Sequence, residues 1–136
     1  MIALDTNVII RYLTRDDESK AQRCLELLRR AEQGEEALFL CEAILAEAVY
    51  VLSSRRLYNL GRQQVAQLLL AIVALRGVVC PNKDVCLQAL QMYAATDLDF
   101  EDALVVAHMR EEGMDRIYSY DGHFDEPELG LERLEP

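Results

Sequence analysis

The chain has 136 residues, of which 51% are hydrophobic, 28% charged and 7% aromatic, and its formal net charge is −10. The hydrophobic fraction excludes an intrinsically disordered chain, and six Gly with three Pro exclude a collagen-like one. No apolar run approaches the roughly 20 residues that a membrane-spanning helix needs. The N-terminal MIALDTNVII lacks the basic region of a signal peptide, so we expect neither a leader nor a membrane anchor.

The negative charge is confined to the last third of the chain. Residues 1–96 contain 11 Lys or Arg and 11 Asp or Glu, whereas residues 97–136 contain 3 and 13. An acidic protein repels nucleic acid at long range, so any binding to nucleic acid must use local basic patches.

The four cysteines lack CxxC spacing and have mostly apolar neighbours. This pattern indicates reduced thiols of a cytoplasmic protein, not a zinc site or a disulfide framework.

Short apolar strands alternate with amphipathic helices along the chain. The predicted strands are 2–4, 37–40, 77–80 and 116–119, with a marginal edge strand within 131–134. The predicted helices are 8–13, 15–32, 42–55, 62–75, 83–95 and 100–112. This alternation predicts a single α/β domain over 1–136, a three-layer sandwich with a short, mostly parallel central sheet flanked by helices.

Acidic residues stand at positions where a solvated surface does not require them. Asp5 ends the first strand and Asp121 follows the fourth, so both are expected at the carboxyl edge of the sheet, where ligands bind in such folds. Glu47 and Asp102 have apolar neighbours one helical turn away, which predicts that both carboxylates point toward the interior or its rim. Neither helix presents Lys or Arg on that face, so a hard cation, Mg²⁺ with Mn²⁺ as a substitute, is the simplest partner.

Each acid also has a local explanation. Asp5 resembles a helix cap, Asp99 with Asp102 resembles a capping box, and Asp121 precedes Gly122 in an ordinary turn dipeptide. Glu47 alone fits a partly exposed acid. One shared metal site explains all four acids together, and we favour it for that reason.

Four segments carry a resemblance to a known family: IALDTNVIIRYL, ILAEAVYVL, DFEDALVVA and IYSYDGHFD. In order and spacing the chain resembles the PIN domain family and, within it, the VapC-type toxin ribonucleases. The resemblance implies that the metal-binding and catalytic residues are Asp5, Glu47, Asp102 and Asp121. It also implies supporting polar residues beside them, namely Thr6, Asn7 and Ser119.

The same resemblance implies a function and partners. It implies a Mg²⁺-dependent endoribonuclease that cleaves RNA by attack of a metal-activated water, the toxin of a type II toxin–antitoxin pair. A cognate antitoxin, a homodimer and a cytoplasmic location follow from it. The arginines that we expect to contact RNA phosphates are Arg11, Arg15, Arg55, Arg56 and Arg62.

Two alternatives from other classes stay open. A receiver-like phosphoacceptor domain needs an acceptor Asp after its central strand and a late Lys, but GVVCPN has no acid and no Lys follows Lys83. A non-catalytic binding module would use the same acids only to hold a structural ion. The apolar residues at 42–52 and 65–75 fit either a partner surface or the core.

Overall fold

The computed structural model describes residues 1–136 and contains six α-helices, five short strands and two short 3₁₀ segments. The helices are α1 (Thr6–Thr14), α2 (Glu18–Glu32), α3 (Glu42–Ser53), α4 (Arg62–Val73), α5 (Lys83–Ala95) and α6 (Phe100–Glu111). The strands are β1 (Ile2–Ala3), β2 (Leu38–Phe39), β3 (Val78–Val79), β4 (Arg116–Tyr118) and β5 (Glu132–Leu134). The 3₁₀ segments are Gly122–Asp125 and Pro127–Leu129. None of the helices is both long and apolar enough to span a membrane.

Helix caps explain where the structure departs from the predicted boundaries. The Asp5 side chain caps α1, so this helix begins at Thr6 and not at residue 8. The Asp17 side chain accepts from the Lys20 N–H and starts α2 at Glu18. The strands are two or three residues long, shorter than predicted. In the first two, a helix N-cap, Asp5 or Cys41, follows two residues after the strand ends.

The strands form two separate parallel sheets. One has the order β1-β2-β3, with Ile2 beside Leu38 and Leu38 beside Val78, and the other pairs β4 with β5. No backbone hydrogen bond joins β1 to β4, so the fourth predicted strand does not extend the first sheet. The predicted mixed α/β fold with a small parallel sheet and flanking helices is confirmed.

The main core consists of 28 buried residues, drawn mostly from α3, α4, α5 and α6. A smaller cluster joins the first sheet to α2 through Leu4, Leu28, Ala31 and Leu38. On α2, Ala21, Leu28 and Ala31 are buried, whereas Cys24, Leu25 and Leu27 are half-buried. Most apolar residues of α3 and α4 lie in the core, so their main role is to pack the interior and not to form a partner surface.

All four cysteines are free thiols, as predicted. Cys80 and Cys86 are buried with their Sγ atoms 3.1 Å apart, and Cys24 and Cys41 are half-buried. The hydrogen bond with the Cys80 sulfur, together with burial, raises the pKa of Cys86, which keeps it protonated.

Candidate active site

Asp5 lies at the carboxyl end of β1 and caps α1. Its Oδ1 accepts from the Thr6 N–H at 2.9 Å, and its Oδ2 accepts from the Asn7 side-chain amide at 3.1 Å. The capping role inferred from sequence is therefore real. The carboxylate is nevertheless solvent-exposed and has no basic partner, so it remains available to a cation.

Thr6 connects α1 to α3. It is only 4% exposed, the one polar residue in the buried set, and its Oγ1 donates to Glu47 Oε2 at 2.8 Å. A buried hydroxyl requires an acceptor, and here that acceptor is a carboxylate of the proposed metal set. This contact brings Glu47 to the beginning of α1, next to Asp5.

Of the two predicted positions for Glu47, the interior or its rim, the structure excludes the interior. The buried face of α3 consists of Leu45, Ala48, Val49 and Leu52, and Glu47 lies outside it as an exposed residue. Tyr50, one helical turn from Glu47, is 67% exposed. The helical neighbours of Glu47 are apolar, yet the face that meets the core is centred about one residue further along the helix.

Asp102 is half-buried on α6 and makes no hydrogen bond or ion pair. Burial raises its pKa, and the negative charges of Asp121, Asp99 and Glu101 raise it further. Asp99 is the N-cap residue of α6 but its side chain makes no capping hydrogen bond, so the capping-box explanation fails. Asp102 is thus a carboxylate with excess negative charge around it and no ion-pair partner, and only His123 opposes the rise in its pKa.

Asp121 follows β4 and caps the first 3₁₀ segment. Its Oδ1 accepts from the His123 N–H at 2.9 Å and lies 2.7 Å from His123 Nδ1. The backbone hydrogen bond from His123, helped by the His123 side chain and by Arg133, lowers the pKa of Asp121. The Asp121 N–H donates to Ser119 Oγ at 2.9 Å, so Ser119 helps to orient the turn that carries the acid.

The structure therefore groups the acids as two pairs. Asp5 and Glu47 meet through Thr6, and Asp102 and Asp121 are close enough for their charges to interact. Helix α3 packs against both α1 and α6, which places the pairs on neighbouring elements.

No three Asp, Glu, His or Cys side chains approach closely enough to hold one metal ion. The donor set nevertheless fits a hard divalent cation, because it offers only carboxylate oxygens and three of its four acids lack a cationic partner.

A small cavity of about 220 Å³ opens beside the first pair. Its lining comprises Thr6, Asn7, Ile10, Arg11, Glu47, Val51 and Tyr58. A cationic side chain, Arg11, therefore stands within the same cavity as Glu47 without forming an ion pair with it.

The five candidate arginines differ in their availability to RNA. Arg11 is half-buried, and Arg55 and Arg56 are exposed after α3, all three without ion pairs. Arg15 is exposed but pairs with Glu18. Arg62 has a role inside the fold, and we leave it out of the proposed interface. Its guanidinium donates to the carbonyls of Tyr93 and Leu98 and lies 4.1 Å from the Tyr93 ring centroid.

The family profile of the PIN domain matches residues 2–128, a range that includes all four acids. The chain belongs to the PIN domain family. PIN domains are in general divalent-metal-dependent nucleases, and membership supports that broad activity for this PIN domain. The comparison with curated proteins finds no match.

The Thr6–Glu47 contact gives a first testable prediction. Thr6→Val should destabilise this PIN domain by about 1 kcal/mol, because it removes the donor of a charged hydrogen bond while keeping the side-chain shape. Urea unfolding measures the loss, and Thr6→Ser, which keeps the hydroxyl, is the matched control. A Val variant as stable as the original chain would contradict the prediction.

Proposed function

We propose that this PIN domain is a Mg²⁺-dependent endoribonuclease, with Mn²⁺ as a working substitute, whose ion is held by Asp5, Glu47, Asp102 and Asp121. The observation that carries the proposal is the state of Asp102. It is half-buried and unpaired, and its pKa is raised first by burial and then by the negative charges of Asp121, Asp99 and Glu101. A site with uncompensated carboxylates and oxygen-only donors is suited to a hard divalent cation.

The supporting residues hold the acids in place. Asn7 fixes one oxygen of Asp5, and Thr6 holds Glu47 beside it. Ser119 accepts from the Asp121 N–H and orients the turn, and the His123 N–H, helped by the His123 side chain, lowers the pKa of the Asp121 carboxyl. When bound, the ion supplies Lewis acidity toward a phosphate oxygen and lowers the pKa of a water molecule.

RNA is the proposed substrate because PIN nucleases act on RNA. The phosphate backbone requires local positive charge on a protein whose net charge is −10. Arg11, beside Glu47, and the exposed pair Arg55 and Arg56 supply it without competing ion pairs.

We further propose that the chain is the toxin of a type II toxin–antitoxin pair, a homodimer that acts in the cytoplasm. The support is its resemblance to VapC-type toxins in four segments, together with its free thiols. The antitoxin would bind beside the acids, where a cavity of about 490 Å³ has the exposed Tyr50, Asp99 and Glu101 in its lining. Coexpression of an adjacent open reading frame should relieve the toxicity of the chain.

The experiment that tests the activity is an RNA cleavage assay on the purified chain, free of any partner. Cleavage is expected with Mg²⁺ or Mn²⁺, and EDTA should stop it because the acids lose the cation that offsets their charge. Excess Mg²⁺ should restore it. Cleavage that EDTA does not affect, or no cleavage with either ion, would refute the proposal. A metal-dependent rise in Tm without cleavage would instead support the non-catalytic binding module.

A further inference from the structure

A third cavity lies between α1 and α2. Its volume is about 440 Å³, within the range of ligand-binding cavities. Its lining comprises Asn7, Val8, Arg11, Lys20, Arg23, Cys24 and Leu27. Three of these side chains are cationic and none is acidic.

The three cations remain largely uncompensated. Arg11 and Arg23 form no ion pair, and the only acidic contact of Lys20 is with Asp17, at 3.9 Å. The hydrogen bond from the Lys20 backbone N–H lowers the pKa of Asp17, and the charges of Lys20, Arg11 and Arg23 lower it further. Cys24 adds no negative charge, because burial raises the pKa of its thiol. The cavity therefore keeps a net positive charge.

This cavity adjoins the acidic site. Asn7 and Arg11 line both this cavity and the smaller one that contains Thr6 and Glu47. Asn7 also donates to Asp5. A polyanion whose reacting phosphate lies at the acids can thus continue into the positive cavity. Two adjacent sites of opposite charge fit an extended phosphodiester chain with a bound cation better than they fit an acidic peptide.

We propose that the cavity between α1 and α2 is a phosphate-binding subsite for single-stranded RNA, in which Arg11, Lys20 and Arg23 hold the backbone next to the scissile phosphate. The choice of RNA rests on the proposed function. The contacts position the strand and read no sequence, since side chains that bind phosphate distinguish no bases.

The test is equilibrium binding of a fluorescent, short single-stranded RNA in EDTA, where cleavage does not interfere. The double variant Lys20→Gln with Arg23→Gln is compared with Arg29→Gln with Arg30→Gln, which changes the charge of the same helix equally but outside the cavity. Between roughly 50 and 200 mM salt, the cavity variant should bind about 10- to 100-fold more weakly, and its salt slope should fall by about 1.4 because two contacts are lost. The control variant should stay within about threefold of the original chain.

Three results would overturn the proposal. They are equal weakening of RNA binding in both double variants, an unchanged salt slope in the cavity variant, or a cavity variant that loses binding to an acidic peptide while its RNA binding stays intact. Thermal unfolding checks both variants. If the cavity variant does not fold, the rate of Cys24 alkylation is measured in the unaltered chain instead. RNA should slow the alkylation, and high salt should restore the original rate. An alkylation rate that RNA does not change would overturn the proposal. Cleavage is assayed separately, so salt-sensitive RNA binding at the cavity without cleavage would sustain this subsite while refuting the nuclease.

Discussion

Asp102→Asn is expected to lower RNA cleavage by roughly 1,000-fold or more, since a metal site contributes several kcal/mol to the transition state and each 1.4 kcal/mol is tenfold in rate. The substitution keeps the shape of the side chain and removes the charge that Asp121, Asp99 and Glu101 surround. Initial rates with Mg²⁺ measure the effect. Glu111→Gln, at the exposed end of the same helix, makes the same charge change and should leave the rate within about twofold.

Asp102→Asn should also be more stable than the original chain at neutral pH. The folded state raises the pKa of Asp102, so it binds this proton more tightly than the unfolded state does. Ionisation therefore costs stability as the pH rises from the ordinary aspartate pKa through the raised one. Asn removes that cost, so Tm should increase by a few degrees at neutral pH, with no such increase below the ordinary pKa. Full cleavage by Asp102→Asn, with a contaminating nuclease excluded, would reject the site.

Gly77→Ala is expected to have the largest effect on folding. A Cβ at Gly77 would collide with the backbone carbonyl oxygens of Ala31 and Glu36, and neither is a flexible side chain that can move aside. Either β3 or the segment after α2 must shift, and we expect a loss of about 3 kcal/mol. This loss corresponds to roughly 10 °C in Tm, and thermal unfolding measures it.

Gly61→Ala is the control for this prediction. A Cβ at Gly61 meets nothing within 4 Å, and its φ of −71° suits an alanine. The control should stay within about 1 kcal/mol of the original stability. A Gly77→Ala protein as stable as the control would show that the close approach between β3 and the loop can relax.

Local patterns were sufficient to predict the helices and their order. Lys83–Ala95 has the predicted bounds because periodicity and flanking residues agree there. The short strand ends were not predictable, since ladder pairing depends on residues far away in the chain. The pattern that placed Asp5 and Asp121 at strand ends was sound, yet it did not show that their strands lie in different sheets.

Side-chain direction was harder to predict than element type. Asp102 is half-buried as expected, whereas Glu47 is exposed. Apolar residues almost surround α3, so the sequence did not show which side of this helix meets the core. Lys20 and Arg23 escaped notice because the positive cavity arises only when α2 packs against α1. Lys20 and Arg23 are spaced i, i+3, and Leu27 follows four residues later. This spacing indicates a shared helix face and was the pattern in the sequence that could have identified them.

The break between the two sheets separates the acids of the first pair from Asp121. No hydrogen bond of a strand ladder crosses this break. The C-terminal segment that carries β4 and β5 is attached by packing on the main core, through Phe124, Leu129, Ile117 and Leu131. The carboxylates on opposite sides of this break are therefore held by apolar packing contacts. Such contacts shift over short distances more readily than a continuous hydrogen-bonded ladder. If a cation binds between the two groups of carboxylates, we expect these groups to lie further apart in the cation-free protein than in the loaded one, because only packing contacts have to adjust.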